Sequence, residues 1–202
     1  MVQTGTIDQF LQDVSNKRQD EYGGSLEKRN AVVEAVGAER VGIRLSPRGQ
    51  FQGMGMTNPI PQYAHFVSTL CQKHPKLAYL HVIEARVGGD NPGSHDGPFC
   101  VLESNDFLRA IWSPLPFISA GRYDKESALQ RAEESGDLVA FGKHFIANPD
   151  LPIRLMSNIP LNPYDRKTFY VPGDQKGSDV GYIDYPFASE TIDEAKVSIA
   201  RI

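Results

Sequence analysis

Arg44 stands inside an otherwise apolar run, Val41-Gly42-Ile43-Arg44-Leu45-Ser46-Pro47. A guanidinium keeps its charge at any physiological pH, so within a buried strand it must be paired or face a ligand. A structural ion pair and a contact to a ligand both satisfy that demand. Two later turns join a glycine to a cation where an apolar run ends: Ser119-Ala120-Gly121-Arg122 and Phe141-Gly142-Lys143. Exposed backbone N–H groups beside positive charge are what a phosphate group requires. His81 interrupts Tyr79-Leu80-His81-Val82, with Glu84 and Arg86 just beyond it, and reads as a packed histidine followed by a salt bridge. His144, beside Lys143, could hydrogen-bond a ligand, but its place before Phe145-Ile146 reads as structural.

Other chemistries find little support. His65, His74 and His95 are scattered without metal-ligand spacing, so no metal is expected. No serine stands in a nucleophile-elbow pattern. Glu84, Asp90, Asp96 and Glu103 cluster in or near one segment, yet their spacing singles out no acid and base pair. Cys71 and Cys100 read as two reduced structural thiols.

The elements that must position these groups are legible as alternating short apolar runs and longer helical stretches. Strands are expected at 41–45, 77–83, 116–120 and 138–141, and helices at 27–36, 60–74, 104–112 and 125–135. Gly37 and Gly136 mark helix stops. Such alternation predicts βα units with right-handed crossovers, hence an α/β fold with a parallel sheet. Ligands of parallel α/β sheets lie beside the carboxyl ends of the strands, where the long connections 46–59 and 84–98 and both glycine–cation turns fall. From Leu161 onward the periodicity fades into a segment rich in Pro and Gly, which predicts an extended tail over residues 161–202 behind a domain of residues 1–160.

With 202 residues, 40% of them hydrophobic, the chain can bury a sizeable core, although a complete eight-stranded α/β barrel takes about 250 residues. A formal net charge of −4 leaves no electrostatic footprint for nucleic acid or an anionic membrane surface, so a small-molecule partner is the default. No apolar run approaches the roughly 20 residues of a membrane span, and Met1 opens a polar stretch; a cytoplasmic protein is expected.

Four blocks resemble one family. They are Arg18-x-Asp20-x-Tyr22-Gly23-Gly24-Ser25-x-x-x-Arg29, Asn148-Pro149-Asp150-Leu151, Pro160-Leu161-Asn162-x-Tyr164-Asp165-Arg166-x-Thr168-Phe169-Tyr170, and Gly181-Tyr182-Ile183-Asp184-Tyr185-Pro186. Together they are similar to the second half of the old yellow enzymes, FMN-dependent ene-reductases, in their fungal branch, which includes members of secondary metabolism. The resemblance implies the C-terminal half of a TIM (β/α)8 barrel, an incomplete barrel with strands five to eight. It further implies FMN as cofactor, NADPH as reductant, and reduction of activated C=C bonds of enones and enals. Arg44 would meet the pyrimidine side of the flavin, Ala120, Gly121, Arg122, Gly142 and Lys143 would bind its phosphate, and Tyr170 would lie near the substrate.

The same resemblance implies departures. The family's substrate-clamping His and Asn and its proton-donating Tyr precede Asp8-Gln9-Phe10; here Gln3 falls at the asparagine position and Gly5 at the tyrosine position, and the histidine would precede Met1. No catalytic residue is therefore expected in this chain, and the expectation is a truncated reductase, inactive or severely impaired. The alternatives are a non-catalytic half barrel that dimerises or complements another chain through open sheet edges, and a fragment of a full-length reductase. The helix before Val41 is expected to be short, about 15 Å for 27–36. Lys143 replaces the family's usual arginine and keeps the charge while losing the bidentate fork.

Overall fold

The computed structural model describes residues 23–49, 56–85, 104–173 and 177–188. Gln3, Gly5, the first family block up to Tyr22, and Arg86, Asp90, Asp96, His95, Cys100 and Glu103 lie outside the described residues.

Four strands, β1 (Gly42–Leu45), β2 (Tyr79–Ile83), β3 (Phe117–Ala120) and β4 (Leu138–Ala140), form one parallel sheet in the order β1-β2-β3-β4. The helices between them are α1 (Gly23–Val36) before β1, α2 (Ile60–Lys73), α3 (Asp106–Trp112) and α4 (Lys125–Ser135); α5 (Lys143–Ala147) and α6 (Leu151–Ser157) follow β4. Sequential strands pair with their neighbours and never reverse, the progression of a (β/α) barrel in which every crossover advances one strand. All expected strands and helices are present, with ends displaced by at most four residues. The largest displacement is α1, 14 residues long where ten were expected. Ser25-Leu26-Glu27 contains neither proline nor a β-branched side chain, so nothing local stops the helix from extending toward Gly23.

The pleat divides the sheet into two faces. Ile43, Leu45, Leu80, Val82 and Phe117 point to the helices and are buried against Tyr63, Phe66, Val67 and Leu70 of α2 and Leu108 and Trp112 of α3. Trp112, fully buried, also donates from Nε1 to the Pro116 carbonyl. The Pro59-Ile60-Pro61 start of α2 places a proline in its first turn, where no N–H is missed. Helix α4 is bounded at both ends: Asp124 and Ser127 form a reciprocal capping box, and Gly136 closes it in the left-handed region with φ 69°.

Beneath the amino end of β4, the Asp137 carboxylate is fully buried between two guanidiniums, Arg109 Nε at 2.6 Å and Arg131 Nε at 2.8 Å, and it accepts from Ser119 Oγ at 2.8 Å. Arg109 also donates to the Ser135 carbonyl and lies over the Phe117 ring, while Arg131 reaches Asp106 at 2.7 Å. One carboxylate thereby ties α3, α4 and β3 to the start of β4.

Contacts group the chain into two units, Met1–Ala140 and Phe141–Ile202. Within the second unit, Arg154 is buried and donates to Asp150, to the Pro160 carbonyl, to Asn162 and to the Pro186 carbonyl. Asp150 in turn accepts from the Ala188 N–H, and Asn148 and Asn162 exchange hydrogen bonds through side chain and backbone. The blocks Asn148-Pro149-Asp150-Leu151 and Pro160-Leu161-Asn162 thus form a clasp that fastens residues 186–188 to α6. The buried Asp150 carboxyl is raised by burial, yet the Ala188 N–H and Arg154 outweigh that and hold it below the usual carboxylate range.

Candidate functional site

The sheet face opposite the helices carries the polar groups. Register pairs Arg44 with His81, His81 with Ile118 and Ile118 with Leu138, which makes one row across all four strands. One step toward the carboxyl ends, Ile83, Ala120 and Ala140 form a second row of small or apolar side chains. One step the other way, the Tyr79 ring lies over Gly42, where an added Cβ would come within 2.2 Å of it. The floor of this face is therefore closed by an aromatic ring on a bare backbone. Its middle is charged and polar, and its carboxyl-end row is kept low by two alanines.

Arg44 is half-buried, and His81 is 8% exposed. Burial first and the Arg44 charge second lower the His81 pKa to about 4, so the imidazole is neutral at physiological pH. Its Nε2 is buried and has no hydrogen-bond partner among the described residues. The packed-histidine expectation is met in burial and not in hydrogen bonding.

Just past the second row, β3 runs into Gly121, with φ 125°, and Arg122, with φ 49°. Arginine in the left-handed region costs on the order of 1 kcal/mol, and such strain concentrates where a chain turns to meet a ligand. Strand pairing is carried one step further by the Glu84 N–H, which donates to the Ala120 carbonyl at 2.8 Å. Asn105, fully buried before α3, donates to the Ile83 carbonyl and to Glu84. Both keep the carboxyl end of β2 in place; the expected partner of Glu84, Arg86, lies outside the described residues. Asp124 occupies the start of α4 with its own carboxylate. An anion at this turn would therefore meet the Gly121 and Arg122 backbone and the Arg122 side chain, and not the end of that helix.

In the second unit, Gly142 has φ −102°, and a Cβ added to it would meet nothing within 4 Å. Neither its backbone conformation nor its packing demands glycine there. Lys143 Nζ lies 5.6 Å from the centroid of Tyr164, against which His144 packs edge-on at 5.5 Å. Tyr164 continues to Phe169, and Phe169 to Tyr182. Tyr170 is 74% exposed, just beyond the Arg166–Thr168 turn.

Of the expected site residues, Arg44 and Ala120 share one sheet face, one row apart, and Gly121 and Arg122 continue from it. Gly142, Lys143 and Tyr170 belong to the other unit. Sequence reasoning missed the unsatisfied Nε2 of His81 and the seating of Lys143 on Tyr164. The first needs strand register to be seen. The second was signalled by the Tyr164-Asp165-Arg166 block, without a hint of which side chain it served.

Residues 5–162 match the NADH:flavin oxidoreductase / NADH oxidase family. The chain is 41% identical over 206 residues to the "Probable inactive dehydrogenase easA" of Claviceps fusiformis, covering 95% of this chain and 52% of that protein. To the chanoclavine-I aldehyde reductase fgaOx3 of Penicillium roqueforti it is 45% identical over 197 residues, with 91% and 50% covered. Among solved structures, morphinone reductase superposes with a TM-score of 0.71 at 34% identity, covering 92% of this chain and 48% of that one. The old yellow enzyme from Pichia gives 0.66 at 32% identity, with 91% and 47% covered. The chain thus spans about half the length of these relatives, and its four-stranded parallel sheet is half of their TIM barrel. FMN and a nicotinamide reductant are the cofactors this kinship supports. Among the described residues no helix is long and apolar enough to cross a membrane. Matched over more than three quarters of its length, the chain belongs to the NADH:flavin oxidoreductase / NADH oxidase family, in the old yellow enzyme group.

Proposed function

We propose that this chain carries the flavin-phosphate half of an FMN-dependent ene-reductase site, acting on a small molecule with an activated C=C bond. The observation that carries this reading is the Gly121–Arg122 turn, in positive φ at the carboxyl end of β3, where a glycine backbone and an arginine stand together. Three features fit the flavin. Arg44 puts a permanent charge on the face below that turn, the Ala120 and Ala140 row leaves space above it, and the His81 Nε2 beside Arg44 has no hydrogen-bond partner among the described residues. The chemistry FMN supplies when bound is hydride transfer from NADPH to the β-carbon of an enone or enal.

The residues of this chain have narrower tasks. Arg44 would hold the pyrimidine side of the ring by charge; Ala120, Gly121 and Arg122 would hold phosphate, and Gly142 and Lys143, in the second unit, are assigned to phosphate binding on their own chemistry. Lysine, seated on Tyr164, would act there as a point charge. Tyr170, exposed, is assigned to substrate. Gly5, standing where the resemblance puts a tyrosine, can donate no proton, so protonation of the α-carbon would fall to water and turnover by this chain would be weak or absent. The division into a barrel portion of residues 1–160 and a tail of residues 161–202, and a cytoplasmic location, belong to the same proposal.

The test is an absorbance spectrum of the purified chain from 300 to 550 nm after FMN is added and the excess removed. A retained, structured flavin band is expected, and a colourless protein overturns the reading. A second reading, assembly with another half barrel, is favoured by Leu138, which is 61% exposed on an edge strand of the sheet. A well-folded monomer at micromolar concentration in size-exclusion chromatography would exclude it.

A further inference from the structure

We propose that His81 is a further ligand-contacting residue of this site, its Nε2 hydrogen-bonding the polar edge of the ring system that Arg44 faces. The inference rests on the flavin reading and deepens it. Parallel register sets Arg44 and His81 side by side on one face, about 4.8 Å apart along the hydrogen-bonding direction. The next strand places Ile118 in the same row and β4 places Leu138 there, so the imidazole is the row's uncharged polar group. Leaving a buried ring nitrogen unsatisfied is unfavourable, and few such atoms occur in folded chains. Gln62 Oε1 and Asn105 Oδ1 also lack hydrogen-bond partners among the described residues, but the His81 nitrogen is the one that stands on the sheet row carrying Arg44. Phenylalanine or leucine would fill the same volume without that penalty, so packing alone does not account for the residue.

The imidazole is equipped for the contact. Burial and the neighbouring guanidinium keep it neutral, and a neutral ring has one nitrogen that donates and one that accepts. The pyrimidine edge of a flavin carries C=O and N–H groups in alternation, so either tautomer finds a match at Nε2. Arg44 contributes charge and His81 contributes direction.

The experiment compares His81→Phe and His81→Leu with the wild-type chain in two measurements, FMN affinity by flavin fluorescence quenching and thermal unfolding without FMN. The expected result is FMN affinity lower by on the order of tenfold in both variants, with unfolding temperatures equal to or above wild type, because an orphaned polar atom has been removed. A packing role alone would lower stability and leave affinity unchanged among the folded molecules; that outcome overturns the proposal. If one variant fails to fold, the other decides. Long-range 1H–15N spectra of histidine-labelled wild-type chain give an independent reading: the His81 Nε2 resonance, one of five histidines, moves on adding FMN. Bound FMN with an unmoved His81 signal overturns this inference alone, whereas a wild-type chain that binds no FMN overturns the flavin reading with it.

Discussion

At the amino ends of its strands the sheet is braced by charges that meet opposite charges. From its middle row to its carboxyl ends, on the other face, it carries an imidazole nitrogen with no hydrogen-bond partner among the described residues and, past the end of β3, a left-handed arginine. Asp137 is enclosed by Arg109, Arg131 and Ser119, whereas the His81 nitrogen and the Arg122 backbone are both held in states that cost free energy. The two ends are built of the same parallel strands and the same kinds of residue. Their difference teaches that stability is concentrated at one end, which leaves the other free to retain strained or unsatisfied groups for a ligand.

The strongest way to break this contrast is at the braced end. Replacing Asp137 by alanine strands two largely covered guanidiniums, and a loss of about 3 kcal/mol in urea unfolding is expected. Replacing Asp137, Arg109 and Arg131 together by leucine, methionine and methionine should recover most of that loss, since the one charge left without its partner, Asp106, is exposed to water. If the single and triple variants are equally unstable, the network acts by shape and not by charge.

The next effect comes from pH at the ligand end. His81 has a folded pKa near 4 against an ordinary value of 6.5, so between these values the unfolded chain binds the proton that the folded chain refuses. Stability from this group is fully present above pH 6.5 and is lost as pH falls toward 4, by about 2 to 3 kcal/mol in all. The unfolding free energy of the wild-type chain should therefore decline across that window, and His81→Phe should flatten the decline. An equal slope in both would mean that burial and the neighbouring Arg44 charge do not keep the proton off His81 as the geometry indicates.

A smaller effect is expected where the sheet floor closes. Gly42→Ala drives a methyl group into the Tyr79 ring and should cost about 1 to 3 kcal/mol in thermal or urea unfolding. Tyr79→Leu in the same chain should return part of it by vacating the space. Persistence of the full loss in the double variant would show that Gly42 is required for its backbone and not for the ring.

The outline of the fold was legible in the sequence, and the reasons differ from element to element. Helix α4 was readable to the residue because Asp124 and Gly136 are chemical punctuation at its two ends. Helix α3 starts two residues later than its apolar pattern suggests, because Ser104 turns back to receive the Asp106 N–H and Asn105 is committed to β2. The glycine–cation turns could be placed after strands from residue type alone, but the left-handed Arg122 could not, since a positive φ is expected of the glycine and not of the arginine that follows it. Arg154 and Asp150 stood in or beside recognisable blocks, yet their clasp on residues 186–188 joins positions more than thirty apart, and pattern carries no such information. His81 shows the same limit from the other side. Its burial follows from an apolar strand, while its unfilled hydrogen-bonding position depends on three strands in register.

The finest test of the contrast is at Arg122. Its side chain is exposed, so the surface interactions that truncation removes are worth less than about 1 kcal/mol. Its φ of 49° carries a penalty of on the order of 1 kcal/mol that glycine would not incur, partly offset by the extra freedom glycine gives the unfolded chain. Arg122→Gly should therefore leave the chain as stable as before or stabilise it by a few tenths of a kcal/mol, while retention of FMN falls by on the order of tenfold as one charged partner of the phosphate is removed. A variant destabilised by more than about 1 kcal/mol would show that Arg122 belongs with the braced end in kind, and strain at this turn would no longer mark a ligand site. Stability kept and flavin lost would separate the two ends by a single residue, because the same guanidinium would then be dispensable to folding and needed for binding.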